Sequence, residues 1–239
     1  MCFGLKKVIK YFENGNVCVF GLRGKGKDLL MSNVIARRNK DYVSNIDYGG
    51  KFHLLDFEKI DCGKNDYKNF VKGKINKYVF PYPMGSDIYI SDCGIYLPSQ
   101  YCNELNRDYK YLCTYQALSR QVSHNNVHFN AQNLNRVWDK IREQSEVYLR
   151  CEKCFYLWGL VIQKITYYDK YESACNRVKP CRIKVPLFAK KDIKQNALMY
   201  VDNFYNQHGE VKSFWVIYFN KSNYDTYYFE KLLGGVKND

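Results

Sequence analysis

Seven residues, Gly21-Leu-Arg-Gly-Lys-Gly-Lys27, constrain this chain more than any others. Gly21 and Gly26 have the G-x-x-x-x-G spacing and Lys27 follows at once, the pattern of a loop that wraps a phosphate group. Glycines let the backbone come close, the amide hydrogens point inward, and a following helix adds positive potential at its N-terminus. The flanks agree. Asn16-Val-Cys-Val-Phe20 is a short β-branched run, and Asp28-Leu-Leu-Met-Ser-Asn-Val-Ile-Ala-Arg-Arg38 is of helical type. A bare strand-to-helix turn is the competing reading, and the flanks with Lys27 outweigh it. The pattern implies a nucleoside triphosphate, ATP, held by Gly21, Arg23, Gly24, Lys25, Gly26, Lys27, Asp28 and Leu29. Lys27 would neutralise the β- and γ-phosphate oxygens. One position departs from the pattern. Asp28 stands where Ser or Thr ordinarily offers a hydroxyl to Mg2+. A carboxylate can hold the ion directly, yet it places negative charge beside phosphate, which Lys25 and Arg23 offset.

A second carboxylate closes the next clear strand, Asp87-Ile-Tyr-Ile-Ser-Asp92. An Asp at the C-terminal end of a strand beside the loop holds magnesium in nucleotide hydrolases of this type. Asp92 is therefore the metal candidate together with Asp28, and a strand-end turn is the alternative. The following residue, where an acid would orient water, is Cys93; the nearest later carboxylate is Glu104. That substitution bears on hydrolysis and leaves binding untouched. Val127-His-Phe-Asn-Ala-Gln132 reads as a strand whose polar end reaches the γ-phosphate, with Gln132 first and Asn130 second. A plain polar turn is equally compatible. The catalytic candidates are thus Lys27, Asp92 and Gln132.

The remaining chain supplies context. Asp41–Ile46 reads as a strand and residues 47–86 as polar surface helix or loop. The spacing of Leu105, Tyr109, Leu112 and Gln116 predicts one helix over 99–121. Arg136–Arg142 reads as an amphipathic helix, with Arg142 and Arg120 as ordinary charges or as arginine fingers for a neighbouring subunit. Beyond Tyr148 the character turns to β: Tyr148–Trp158 and Leu160–Tyr168 flank Gly159 as a hairpin, and Phe214–Phe219 is a further strand. Cys151, Cys154, Cys175 and Cys181 have some of the makings of a zinc site, but alternate pleats would separate the first pair.

With 239 residues the chain suits one α/β domain and a modest appendage. Its 37 Lys+Arg against 24 Asp+Glu give +13, which favours polyanionic partners or an anionic surface. Met1–Lys7 carries no sustained apolar stretch, and Cys154–Ile162 is about half of the roughly 20 residues a membrane span needs, so no transmembrane helix is expected. The ten cysteines, lying mostly in apolar runs, read as reduced thiols.

Phe20–Lys27, Ile88-Tyr-Ile-Ser-Asp-Cys-Gly-Ile-Tyr-Leu-Pro98 and Phe129-Asn-Ala-Gln-Asn133 occur in an order that resembles the zonular occludens toxin (Zot)-like assembly ATPases of filamentous phages, within the FtsK/HerA-type P-loop group. Arg136–Arg142 and Tyr224–Glu230 agree in type and placement. The resemblance implies a phage-encoded ATPase that powers virion assembly, extrusion or DNA translocation. It would work as a ring-shaped homo-oligomer on phage single-stranded DNA or coat and export proteins. Its place would be the host bacterial cytoplasm, peripheral to the inner membrane where a membrane partner recruits it. Many members carry a transmembrane helix, and Asp28 and Cys93 depart from the usual residues.

The fold expected is α/β: a P-loop NTPase core with a mostly parallel sheet over 1–145 and a β-rich C-terminal extension over 146–239 packed on it. Two other functions remain open. A nucleotide or small-molecule P-loop kinase is echoed by Lys27-Asp28, and a non-catalytic, nucleotide-gated DNA-binding assembly protein is favoured by Asp28 and Cys93.

Overall fold

Val17–Phe20 (β1) is buried at every position, as a strand covered on both faces must be. The computed structural model describes residues 3–60, 80–183, 186, 188 and 190–222. Around β1 run Tyr42–Ser44 (β2), Phe52–Leu54 (β3), Asp87–Ile90 (β4), Val127–Ala131 (β5), Val147–Leu157 (β6), Leu160–Tyr168 (β7) and Val211–Phe219 (β8). They form an eight-stranded sheet in the order β3-β2-β4-β5-β1-β6-β7-β8. All pairings from β3 to β6 are parallel, and β6-β7 and β7-β8 are antiparallel. The α/β, mostly parallel architecture read from the sequence is the one observed. The sheet runs without interruption across residue 146, because β6 pairs with β1, Phe20 opposite Arg150. Tyr224–Glu230 lies outside the described residues, as do residues 61–79.

Alternation along β1 sends Val17 and Val19 to one face and Cys18 and Phe20 to the other. Leu5–Asn14 (α1) and Lys27–Arg38 (α2) cover the first face with Leu5, Val8, Phe12, Leu30, Met31 and Val34. The opposite face packs on Leu112, Tyr115 and the fully buried Trp138. Among the described residues no helix is long and apolar enough to cross a membrane.

Several local expectations are corrected. The single helix over 99–121 is broken into a 3-10 turn, a helix Cys102–Asp108 and a helix Lys110–Val122. Tyr109 leaves helical dihedrals at φ −127°, and the bend lets Leu105 and Leu112 both reach the core. Arg136–Arg142 is not one helix. Trp138 is drawn inward, its N–H bonding to Leu97 O at 2.8 Å, and only short turns remain on either side. The polar stretch after 47 contains β3, and neither α1 nor the helix Lys191–His208 was expected. Cys151 and Cys154 do not lie on opposite pleats: a register shift around Glu152 turns both toward the α2 side. Cys175 packs against the other core, so the four thiols are not gathered, and among the described residues no His/Cys/Asp/Glu group is arranged for a metal.

Two features hold α2 in place. At its C-terminal end Arg38 pairs with Asp87 and donates to Tyr89 OH at 2.9 Å, all within the protein. Burial would raise the Asp87 carboxyl, but His128, the Arg38 charge and the Asn126 N–H outweigh it and hold it below the usual range. His128 is fully buried, and its Nδ1 accepts the Val17 N–H at 3.2 Å, so that nitrogen carries no proton. Burial accordingly holds the His128 pKa down, against the pull of Asp87. At the other end the β6-β7 hairpin, turning through Trp158 and Gly159 at φ 47° and 80°, backs the glycine loop. Trp158 at the tip is 92% exposed. Gln163, fully buried in β7, donates from Nε2 to Lys25 O at 2.9 Å and Gly26 O at 3.0 Å.

Gly26 shows why the loop needs glycine there. At φ 78° it is left-handed, and an added Cβ would sit 2.7 Å from Cys154 Sγ and 2.9 Å from Gln163 Nε2. A Cβ added at Gly24, at φ 75°, would meet nothing within 4 Å. Gly24→Ala is expected to cost only the left-handed backbone penalty, about 1–2 kcal/mol. Gly26→Ala is expected to cost more in the same urea titration, and equal losses would show that the hairpin does not clamp the loop. The buried histidine sets a second expectation. Its depressed pKa gives stability that is complete above the unfolded value of about 6.5 and is lost as pH falls through the folded value; Asp87 adds a similar loss below about pH 4. Urea unfolding should therefore show stability falling as pH drops below about 7, and His128→Gln should flatten that slope by up to about 1.4 kcal/mol per pH unit. An unchanged slope would mean that His128 is not neutral in the folded chain.

Candidate functional site

The C-terminal ends of β1, β4 and β5 meet the start of α2, and the candidate residues gather there. Gly26 precedes α2 in a left-handed conformation with no side-chain cap, so the first-turn N–H groups stay available to an anion. Gly21 N–H is tied to Ala131 O at 3.2 Å, and Lys25 N–H to Leu22 O at 3.3 Å. Arg23 and Gly24 form the exposed crest. Lys27 is only 5% exposed at the first position of α2. Leu29 packs against the α2-side core.

Asp28 is held in place by donors from three other segments. Its Oδ1 accepts from Asn130 Nδ2 at 2.7 Å, Ser91 Oγ at 2.8 Å and Tyr48 OH at 3.4 Å. Three donors spread its charge, which lessens the conflict with phosphate that the sequence posed. Asp92 lies half-buried just after β4 in a left-handed conformation, φ 45°. Its N–H donates to Asn130 Oδ1 at 2.9 Å. Burial raises the Asp92 pKa first and the Asp28 charge raises it further, while Lys27 opposes both. Lys27, Asp28 and Asp92 are thus within electrostatic reach of one another.

The other candidates separate into two groups. Gln132 is exposed and lines a cavity of about 50 Å³ with Gly21, Leu22, Lys25, Arg150 and Arg177. It stands at the loop's outer side, whereas Asn130, two residues earlier, is fully buried between the two aspartates. Cys93 is fully buried in the core beneath the far face of the sheet, and burial pushes its thiol well up, so it accepts no proton. Glu104 is exposed beside Arg107. Both arginines considered as fingers are engaged within the chain. Arg142 donates to Leu134 O and Val137 O and lies 5.0 Å over the Tyr171 ring. Arg120 pairs with Glu146 at 2.6 Å and donates to Asn126 Oδ1 at 3.0 Å.

Asp28, the Ser91 hydroxyl bonded to it and the electrostatically coupled Asp92 offer hard oxygen ligands of the kind magnesium takes, and the like charges of the two aspartates favour a cation nearby. The residues present therefore fit that ion. Sequence reasoning missed Ser91, Tyr48 and Gln163. Gln163 carried a signal, a polar residue at an inward position of an apolar strand; Tyr48 carried none.

No family model matches the sequence, and no curated protein matches it. Solved structures do. The N-terminal domain of zonular occludens toxin from Neisseria meningitidis is similar over 90% of this chain and 97% of that one, with 12% identity and a TM-score of 0.37. The genome packaging NTPase B204 from Sulfolobus turreted icosahedral virus 2, in complex with ATP-gammaS, is similar over 61% of this chain and 76% of that one, with 9% identity and a TM-score of 0.36. EssC ATPases 2 and 3 from Geobacillus thermodenitrificans are similar over 82% of this chain and 44% of that one, with 11% identity and a TM-score of 0.40.

Proposed function

We propose that this chain is an ATPase that hydrolyses ATP with Mg2+ and powers phage virion assembly, extrusion or DNA translocation. The observation that carries the reading is the buried Lys27 at the first turn of α2, set within electrostatic reach of Asp92 at the end of β4. In this reading the loop and first-turn N–H groups bind the β- and γ-phosphates, and Lys27 stabilises charge developing on the transferring group. Asp92, with Asp28 beside it, would hold magnesium, which when bound neutralises phosphate oxygens. Gln132 contacts the phosphate end from the loop's outer side. The surplus charge of +13 suits a polyanionic partner. The residues up to 145 serve as motor core and the remainder as an extension. The chain works as a homo-oligomeric ring on phage single-stranded DNA or coat and export proteins, in the host cytoplasm beside an inner-membrane partner.

One observation favours a second reading, a nucleotide-gated binding subunit without turnover: Cys93 is turned into the core, where an acid would otherwise orient water. Magnesium-dependent phosphate release from ATP, with and without single-stranded DNA, separates the two. Lys27→Ala and Asp92→Ala are each expected to lower turnover about 100-fold or more. Nucleotide binding with no turnover in the parent would establish the second reading, and no nucleotide binding would overturn both.

A further inference from the structure

The loop lacks its hydroxyl residue, and Asp92 has a backbone conformation that non-glycine residues seldom adopt. One side chain meets both conditions. Asn130 is fully buried on the α2 side of β5, and its amide has a fixed orientation, because only the oxygen can accept the Asp92 N–H and only the nitrogen can face the Asp28 carboxylate. The same nitrogen lies 3.1 Å from Ser91 Oγ and 3.2 Å from Met31 Sδ. Ser91 Oγ in turn donates to Asp28 Oδ1 at 2.8 Å. The left-handed turn at Asp92 is held on its other side by Ile95 N–H donating to Asp92 O at 2.8 Å.

We propose that Asn130 is a positioning residue for the metal side of the nucleotide site, fixing the Asp28–Asp92 arrangement by holding one aspartate through its side chain and the other through its backbone. Ser91 supplies, from just after β4, the hydroxyl that the loop does not. Asn130 spends its amide on Asp28, Ser91 and the Asp92 N–H, all within the chain. Its effect passes through the placement of the two carboxylates, much as the partners of metal ligands orient them elsewhere. Gln132, the exposed strand-end residue, is by contrast free to follow the substrate. The inference rests on the nucleotide-hydrolysing reading above.

The test is a binding measurement with mant-ATP, in magnesium and in EDTA, on the parent, Asn130→Ala, Asn130→Asp and Ser91→Ala, each checked for folding by thermal melting. The quantity read is the ratio of Kd in EDTA to Kd in magnesium. In Asn130→Ala and Asn130→Asp that ratio should fall about 10- to 100-fold, with the affinity in EDTA little changed for the alanine variant. In the unliganded alanine variant the Asp92 amide should also exchange with solvent faster than in the parent. Should the Asn130 variants not fold, Ser91→Ala carries the same expectation at the smaller end of that range. An unchanged ratio in folded variants overturns the proposal. So does an equal loss of affinity with and without magnesium, which would mean that Asn130 only shapes the loop. A parent that binds mant-ATP with a magnesium-dependent ratio while the variants keep it leaves the ATPase reading standing and removes this one. A parent that does not bind removes both.

Discussion

A part-buried carboxylate at the start of a helix has to be satisfied before that end of the molecule can hold its shape, and Asp28 is that carboxylate. Its three donors come from three separate places: Tyr48 after β2, Ser91 after β4 and Asn130 in β5. They can meet only if α2 starts above β5 with β4 and β2 next in order, which is the order of the sheet. The substitution that looks like a defect in the loop motif is therefore a convergence point for the parallel half of the fold. Buried polar networks of this kind stabilise a unique arrangement when every member is matched, and they penalise alternatives when one is not.

The antiparallel half acts on the same helix from the other side. Gln163 holds the carbonyls of Lys25 and Gly26, and the chain leaving β8 holds the middle of α2 through Asn220 and Ser222 on Asn33, with Arg37 on Phe219 O. The loop is thus enclosed between the two halves of one sheet. Residues distant in sequence set its geometry, with separations of 137 and 138 positions for the Gln163 contacts.

That distance separates what was legible from what was not. The loop, the strand before it and the carboxylate after β4 rest on short-range patterns, and they stand where the sequence put them. The Gly159 hairpin was equally local. The bulge at Glu152 was not, since one inserted residue reverses which pleat Cys154 occupies without leaving a mark in composition. β3 is only three residues, Phe52-His-Leu54, and draws its order from pairing with β2 rather than from its own hydrophobicity. The choice between Gln132 and Asn130 depended on where β5 ends relative to α2. Alternation alone suggests that both point the same way, but β5 ends at Ala131, so Gln132 falls in the bend beyond it and is exposed, and only Asn130 lies beneath the helix.

The placement of the chain's three tryptophans has a practical meaning. Trp138 is sealed in the core, Trp215 is partly open, and Trp158 at the hairpin tip stands almost wholly in water at 92% exposure. The emission spectrum is consequently a sum of a blue, shielded component and a red one open to dissolved quenchers such as iodide. Since the red component sits on the hairpin whose base grips Gly26, intrinsic fluorescence observes the glycine loop from behind without a label, while the blue component records whether the core around Trp138 is still closed.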